Sequence, residues 1–257
     1  DGGWPLYTGG DFNTSASIKA YFALKLAGDD IESTHMRHAR EAILAHGGAV
    51  NCNVFTRITL ALFKQIPWRA APVSRVEILL APTWFPIHIN KVSYWTGTVT
   101  VPLLILTARK PEAENPRGIS IDELFHKAPY QENYSLNNPT GSWIGDIMLI
   151  LDRIFRPLEP LIPSFLTNLA IKSALSFVEQ RLNGNDGLGG IFPAMANALM
   201  VFSCLGYRKD DPRVEMAKKA INRLIVETKH EAYCQPCLSP VWDTGLAAHA
   251  ILEAVPD

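Results

Sequence analysis

A few polar residues in this 257-residue chain have types and spacing that could support chemistry. Cys234 and Cys237 form a CxxC pair, which is typical of zinc sites and of thiol–disulfide exchange. A zinc site needs further ligands nearby and a redox site needs a βαβ context, and the sequence suggests neither, so ordinary packing is the preferred interpretation. His35 and His38 share one face of a predicted helix, but flanking arginines indicate a solvated face rather than a metal site.

No Ser-His-Asp or Cys-His arrangement can be argued from spacing, and the glycines between 184 and 190 do not match a phosphate-binding loop. We therefore predict no catalytic residue, no metal and no cofactor in this chain. The 24 basic and 25 acidic residues give a net charge of −1, which offers no reason to expect a nucleic-acid partner. Four cysteines without a signal peptide predict reduced thiols in a cytosolic setting.

Apolar character is the stronger feature of the composition. Hydrophobic residues make up 47% of the chain and charged residues only 19%, which suggests apolar surface that meets a membrane or an oily ligand. No segment is long and apolar enough to predict a transmembrane helix. Because the chain begins at Asp1, inside what reads as a motif, we expect it to be a fragment of a longer protein.

The hydrophobic periodicity is helical along most of the chain, so we predict an all-α fold. The predicted helices are Ser15–Leu26, Ile31–His46, Val54–Lys64, Ser74–Leu80, Tyr94–Thr107, Phe192–Leu205, Pro212–Lys229 and Thr244–Ala254, together with a proline-broken helical stretch over Ser142–Gln180. Residues 111–140 are predicted to form a long loop with a short helix near Ile121–His126, and no strand or hairpin is predicted. Similar helical units after two glycine-rich turns suggest one α/α-barrel domain over residues 1–257, built of helix pairs.

Five strings in the sequence carry a family resemblance. They are Asp1-Gly2-Gly3-Trp4, Tyr21-Phe22-Ala23-Leu24-Lys25, Val54-Phe55-Thr56-Arg57, Gly189-Gly190-Ile191 and Ser239-Pro240-Val241-Trp242-Asp243-Thr244-Gly245-Leu246-Ala247. Together they resemble bacterial squalene–hopene cyclases, a family with QW motifs, and the resemblance runs from the first residue to the last. The last string is highly specific, whereas the first is shared with other triterpene cyclases. Leu188 departs from the family pattern, which usually has tryptophan before Gly-Gly-Ile.

The resemblance implies an isomerase that cyclises squalene or a related polyprene to hopanoid triterpenes, through a carbocation cascade started by protonation. The family's proton donor, Asp-x-Asp-Asp, lies in its C-terminal barrel. The adjacent aspartates here, at 29–30 and 210–211, lack the third aspartate, so the chain resembles the inserted, membrane-proximal barrel and should be inactive alone. The implied partners are the polyprene, the C-terminal barrel and the cytoplasmic side of the cytoplasmic membrane, and we also consider a homodimer.

The resemblance also implies which residues line the substrate cavity. They are Phe55, Trp95, Ile191, Pro193 and Trp242, with Phe192 at a position where the family commonly has glutamine. A desolvated aromatic face stabilises a cation by roughly 0.5–2 kcal/mol, and apolar walls exclude water from the reaction. Without the resemblance, each of these residues is interpreted as an ordinary core residue.

The segment Trp143–Arg156 predicts a helix with an apolar stripe too wide for a typical surface helix. One row of the stripe contains Trp143, Ile147, Ile150 and Ile154, and the adjacent row contains Ile144, Met148, Leu151 and Phe155. The polar positions are Asp146, Asp152, Arg153 and Arg156. Periodicity alone allows either a buried core helix or a helix lying in a lipid interface. The resemblance favours the membrane, with contacts through Trp143, Ile147, Ile150, Leu151 and Ile154.

Two function classes remain at this point. One is a domain of a squalene–hopene cyclase that supplies cavity wall and membrane surface. The other is a non-catalytic α/α-barrel module that binds a membrane or an isoprenoid ligand. An Asp-x-Asp-Asp segment downstream in the parent chain would favour the enzyme.

Overall fold

The computed structural model describes residues 2–85, 88–135 and 141–254, and helices dominate these ranges. The α-helices are α1 (Thr14–Ala27), α2 (Thr34–Ala45), α3 (Val54–Leu62), α4 (Tyr94–Arg109), α5 (Trp143–Leu158), α6 (Ser164–Glu179), α7 (Phe192–Cys204), α8 (Pro212–Arg223) and α9 (Pro240–Ala254). Consecutive helices α1 and α2 pack together, as do α7 and α8, which is the pairing expected of an α/α architecture. The predicted all-α class is confirmed.

Two predicted helices are wrong in part. The segment Ser74–Leu80 forms a short 3₁₀ helix over Val76–Leu80. Helix α8 ends at Arg223, and the chain then forms a small antiparallel hairpin of β1 (Ile225–Glu227) and β2 (Ala232–Cys234). The expectation of no hairpin is therefore wrong. Adjacent β-branched Ile225 and Val226 disfavour the helix, and the Thr228 N–H closes the turn by donating to the Glu231 carbonyl at 2.8 Å.

The chain divides into two compact units, and unit 1 comprises Asp1–Val73 and Lys110–Pro160. Its core is formed by α1, α2 and α3, through buried residues such as Ile18, Tyr21, Met36, Ile43 and Leu60. Helix α1 begins where the Asn13 side chain accepts the Ala16 N–H and ends at Gly28, whose positive φ closes the last turn.

Residues 111–135 run without an α-helix or a strand, and contain a 3₁₀ turn over Asp122–Leu124 in place of the predicted short helix. The Glu123 carboxylate attaches this turn to α1, because it accepts the Tyr21 hydroxyl at 2.9 Å and pairs with the Lys25 ammonium. The remainder of the predicted loop, residues 136–140, lies outside the described residues.

Unit 2 comprises Ser74–Arg109 and Leu161–Asp257. Helix α4 lies at its centre and packs against both α6 and α7, and α7 packs against α8. The core they share includes Val101, Ile105, Ala174, Ala198 and Phe202. The single barrel domain over residues 1–257 stays a prediction.

Candidate functional site

Phe55 lies in the first turn of α3 in unit 1, with its side chain 60% exposed. The Asn53 side chain caps this helix by accepting the Thr56 N–H at 2.9 Å. Two residues further, Arg57 is buried and fixes α3 through four backbone carbonyls. Its guanidinium donates to the carbonyl oxygens of Val50, Ala70, Tyr134 and Ser135. Phe55 therefore projects from a rigidly held helix end.

Trp95 lies in the first turn of α4 in unit 2 and is 59% exposed. The Ser93 hydroxyl accepts the Thr96 N–H at this end of the helix. The Thr98 side chain, which is fully buried, donates its hydroxyl to the Trp95 carbonyl at 2.9 Å. The backbone that carries the Trp95 indole is thus held from inside unit 2.

Ile191, Phe192 and Pro193 follow a turn made by Gly189 and Gly190, whose φ values of +69° and +65° favour glycine. Ile191 is only 4% exposed and belongs to the core of unit 2, beside Leu188. Phe192 and Pro193 are exposed at the start of α7. Their role in lining a cavity stays a prediction.

The same turn pairs with the segment that leads into α9. Phe192 N–H donates to the Pro236 carbonyl at 3.0 Å, and Leu238 N–H donates to the Gly190 carbonyl at 2.8 Å. Ile191 and Cys237 form the antiparallel bridge between these bonds. This short ladder connects the Gly-Gly turn to the helix that carries Trp242, which is 73% exposed.

Five of the six predicted cavity residues therefore belong to segments of unit 2 that meet at the Gly189–Gly190 turn. Trp95 is linked to the Gly-Gly turn through Thr98, which faces Gly189, and Trp242 is linked to it through the ladder. Phe55 belongs to unit 1. Sequence reasoning missed Thr98 and Pro236, although the two consecutive glycines are a signal of close backbone approach.

The side chains around the Gly-Gly turn of unit 2 are suited to binding an apolar ligand or a cation rather than to acid–base catalysis. Within the described ranges, no group of three or more His, Cys, Asp or Glu side chains could hold a metal ion. Cys234 and Cys237 are free thiols exposed at the surface, beside the ladder. Elsewhere, burial raises the pKa of the Cys52 thiol to about 11, so that thiol stays protonated at neutral pH.

Helix α5 has its apolar side exposed and part of its polar side turned inward. Trp143, Ile147, Ile150 and Ile154 are all exposed, and Leu151 is half-buried. Helix α5 belongs to unit 1, and two of its four predicted polar positions face residues 69–73 of that unit. Asp152 accepts the Val73 N–H at 2.6 Å, and the Arg156 guanidinium donates to the carbonyls of Arg69 and Ala71 at 2.7 and 3.3 Å. Arg153 is exposed beside the apolar side.

Among the residues that the structure describes, no helix combines the length and hydropathy needed to cross a bilayer.

Comparison with known proteins gives consistent matches along the whole chain. The profile of the family described as the squalene-hopene cyclase N-terminal domain matches residues 1–230. The chain is 51% identical over 254 residues to the squalene–hopene cyclase of Bradyrhizobium diazoefficiens, covering 98% of this chain and 38% of that protein. It is 48% identical over 263 residues to the squalene–hopene cyclase of Zymomonas mobilis, covering 98% of this chain and 39% of the relative.

More distant relatives match over the same extent. The dammaradiene synthase of Dryopteris crassirhizoma is 29% identical over 254 residues, covering 98% of this chain and 37% of the synthase. The chain thus spans about two fifths of the length of the curated relatives that it matches.

Proposed function

Because this chain belongs to the squalene–hopene cyclase family, through that family's N-terminal domain, we propose that it is part of an enzyme that cyclises squalene or a related polyprene to hopanoid triterpenes. The observation that carries this proposal is an identity of 48–51% to curated squalene–hopene cyclases over 98% of the chain.

The reaction is an isomerisation. A general acid protonates a terminal alkene, successive alkenes attack the resulting cation to close rings, and loss of a proton ends the cascade. No redox change or metal is needed. The protein must therefore fold the polyene, exclude water and stabilise positive charge. In unit 2 we assign this role to the aromatic faces of Trp95 and Trp242, with Ile191, Phe192 and Pro193 shaping the wall. In unit 1 we assign it, separately, to the aromatic face of Phe55.

We assign the general acid to the C-terminal barrel of the complete enzyme. The aspartate pairs of this chain are poor candidates because they are engaged at the surface. Asp29 pairs with His35 at 2.7 Å. Asp211 accepts hydrogen bonds from the Arg213 guanidinium, which lowers the pKa of Asp211 to about 2, so it is ionised at neutral pH. A cyclase acid must instead carry a proton.

We also propose that the enzyme is monotopic on the cytoplasmic side of the cytoplasmic membrane, and helix α5 supports the attachment to a membrane. Its exposed apolar side chains lie on one side of the helix, while Asp152 and Arg156 contact the rest of unit 1 at residues 69–73. Burying one such isoleucine in lipid is worth roughly 1.5–3 kcal/mol, so several together would hold the protein without a spanning helix.

Helix α9 supports the C-terminal barrel as a protein partner. Every residue from 241 to 254 is exposed, including Trp242, Leu246 and Ile251. A helix that is apolar around its circumference is typical of a protein interior, and more than half of the length of the relatives lies outside the matched region. We therefore propose that α9 is enclosed by the remainder of the enzyme. The homodimer stays a prediction.

Incubation with squalene and analysis of the products by mass spectrometry tests the proposal. The complete enzyme should form pentacyclic product, and the isolated chain should form none because it lacks the acid. Binding of squalene without any product from the complete enzyme would favour the non-catalytic module instead.

Aromatic substitutions in the complete enzyme test the assigned wall. Trp95→Ala or Trp242→Ala should lower turnover by a few-fold to about thirtyfold, since losing a desolvated aromatic face costs roughly 0.5–2 kcal/mol of cation stabilisation. Trp95→Phe and Trp242→Phe are the matched controls, because each keeps an aromatic face. Wild-type rates and products in the alanine variants would identify these residues as packing residues only.

A further inference from the structure

Gly189 faces a buried side chain that controls the backbone of Trp95. Its φ is +69°, and a Cβ added there would lie 2.7 Å from the Thr98 hydroxyl oxygen and 3.3 Å from the Thr98 Cβ. Thr98 is fully buried and β-branched, so it has little freedom to rotate away. Its hydroxyl donates to the Trp95 carbonyl at 2.9 Å. A methyl group at position 189 would therefore act on Trp95 through Thr98.

The opposite side of the turn is fixed as well. Gly190 accepts the Leu238 N–H at 2.8 Å, and a Cβ added at Gly190 would lie 3.0 Å from the Leu238 carbonyl oxygen. Phe192 donates to the Pro236 carbonyl at 3.0 Å. The turn cannot move away from α4 without shifting the segment that leads to Trp242.

Helix α4 is also held from a second direction. A Cβ added at Gly97 would lie 3.1 Å from the tip of the Phe177 ring on α6. The first turn of α4 is therefore confined between α6 and the Gly-Gly turn. A displacement at the turn cannot be absorbed by sliding α4 toward α6.

We infer that Gly189 and Thr98 form a positioning contact that sets the spacing between Trp95 and the Ile191–Pro193 wall, and thereby how completely the polyene is cyclised. This inference rests on the proposed cyclase function. Neither residue needs to touch the substrate. The absence of a side chain at 189 lets the turn approach α4, and the bulk of the Thr98 side chain transmits that approach to the first turn of α4, which carries Trp95.

The effect should fall mainly on the product ratio. A cation that is held at the wrong distance from the wall loses a proton before the last ring closes. Gly189→Ala in the complete enzyme should therefore raise the share of partially cyclised products from squalene about tenfold and lower the share of pentacyclic product.

Gly206→Ala is the matched control for the backbone. Gly206 also has a positive φ, of +81°, but a Cβ there meets no atom within 4 Å. Both alanine variants carry a strained φ, and only the one at 189 has the steric conflict. Gly206→Ala should leave the product ratio unchanged.

Changes at Thr98 separate the steric conflict from the hydrogen bond. Thr98→Ala removes the conflicting atom, so Gly189→Ala with Thr98→Ala should restore the product ratio to within about twofold of the wild type. Thr98→Val keeps the bulk and removes the hydroxyl, so Gly189→Ala with Thr98→Val should stay impaired. Melting temperatures of all variants are measured in parallel.

Three results would overturn the inference. They are an unchanged product ratio in Gly189→Ala, an equal change in Gly206→Ala, and the absence of any rescue by Thr98→Ala in a pair that melts as the wild type does. Failure of the proposed function is seen separately, since the wild-type complete enzyme would then form no cyclic product at all. If Gly189→Ala alone fails to fold, the pair with Thr98→Ala, which lacks the conflicting oxygen, provides the test: it should fold and give the wild-type product ratio, and an impaired ratio in the folded pair would overturn the inference.

Discussion

Helices α5 and α9 both expose many apolar side chains, but they expose them in different ways. On α5, Trp143, Ile147, Ile150 and Ile154 share one side, and Asp152 lies on the opposite side against unit 1. On α9, the exposed residues run around the whole helix from 241 to 254. The first pattern fits a flat lipid surface, and the second fits enclosure by protein.

The two helices are also attached differently. Side chains attach α5 to the rest of unit 1, since the Arg156 guanidinium donates to the carbonyls of Arg69 and Ala71. Backbone hydrogen bonds attach the start of α9, through Gly190 and Leu238. Exposure of an apolar helix therefore does not identify its partner. Two features indicate which surface such a helix meets. One is the distribution of apolar residues around the helix axis, and the other is the set of groups that attach the helix to the rest of the protein.

Charges placed on the apolar side of α5 should have the largest effect. Ile150→Glu with Ile154→Glu in the complete protein should weaken binding to phospholipid vesicles by about a hundredfold to ten-thousandfold, because each side chain contributes roughly 1.5–3 kcal/mol in lipid. The helical circular-dichroism signal and the melting temperature should stay nearly unchanged, because both residues are exposed. Vesicle co-sedimentation measures the binding.

Arg153→Glu is the matched control for this pair. Arg153 is exposed on the same helix, and the substitution changes the net charge by the same two units without removing apolar surface. It should leave vesicle binding within about a few-fold of the wild type. If the isoleucine pair instead unfolds the protein, α5 is a core helix and the membrane proposal is wrong.

Truncation of Leu246 on α9 should have the next largest effect, and only in the complete protein. Leu246→Ala should destabilise the complete protein by about 2–5 kcal/mol if α9 is enclosed there. In the isolated chain Leu246 is 61% exposed, so the same change should cost less than about 0.5 kcal/mol. Denaturant unfolding of both proteins measures the difference. Equal small effects in both would mean that α9 has no protein partner.

Removal of the Arg156 side chain should have a moderate effect on unit 1. Arg156→Ala deletes the donors to the Arg69 and Ala71 carbonyls, and we expect a loss of about 1–2 kcal/mol in urea unfolding of the isolated chain, allowing for partial exposure. Arg153→Ala on the same helix should change stability by less than about 0.5 kcal/mol. Similar losses in both variants would show that α5 is not attached through its polar side.

The sequence predicts the helices well where periodicity and caps agree. Helix α1 begins and ends within one residue of the prediction, because Asn13 and Gly28 mark its ends. The prediction fails at Ile225–Cys234, where β-branched residues and a turn outweigh the helical pattern. The predicted start of α9, at Thr244, is also late, because the helix begins at Pro240. Proline suits the first turn of a helix, so Pro240 is compatible with this earlier start.

The candidate site is predictable only in part. Family resemblance indicates Trp95 and Trp242, but not the contact between Thr98 and Gly189, which joins residues distant in sequence. Similarly, periodicity predicts an apolar side and a polar side for α5, and cannot tell which side faces the protein. That choice is made by hydrogen-bonding partners such as the Val73 N–H, which a sequence pattern does not contain.

Salt should have the smallest effect, and it separates apolar docking on α5 from electrostatic attraction. The helix has two acidic and two basic residues, and Asp152 and Arg156 are already engaged with unit 1. The chain as a whole has a net charge of −1. Binding of the complete protein to vesicles containing anionic lipid should therefore change by less than about twofold between roughly 50 and 500 mM salt, although the Debye length falls severalfold over that range. Loss of binding at high salt would mean that basic residues elsewhere in the enzyme hold the membrane, and the one-sided apolar surface of α5 would then need another partner.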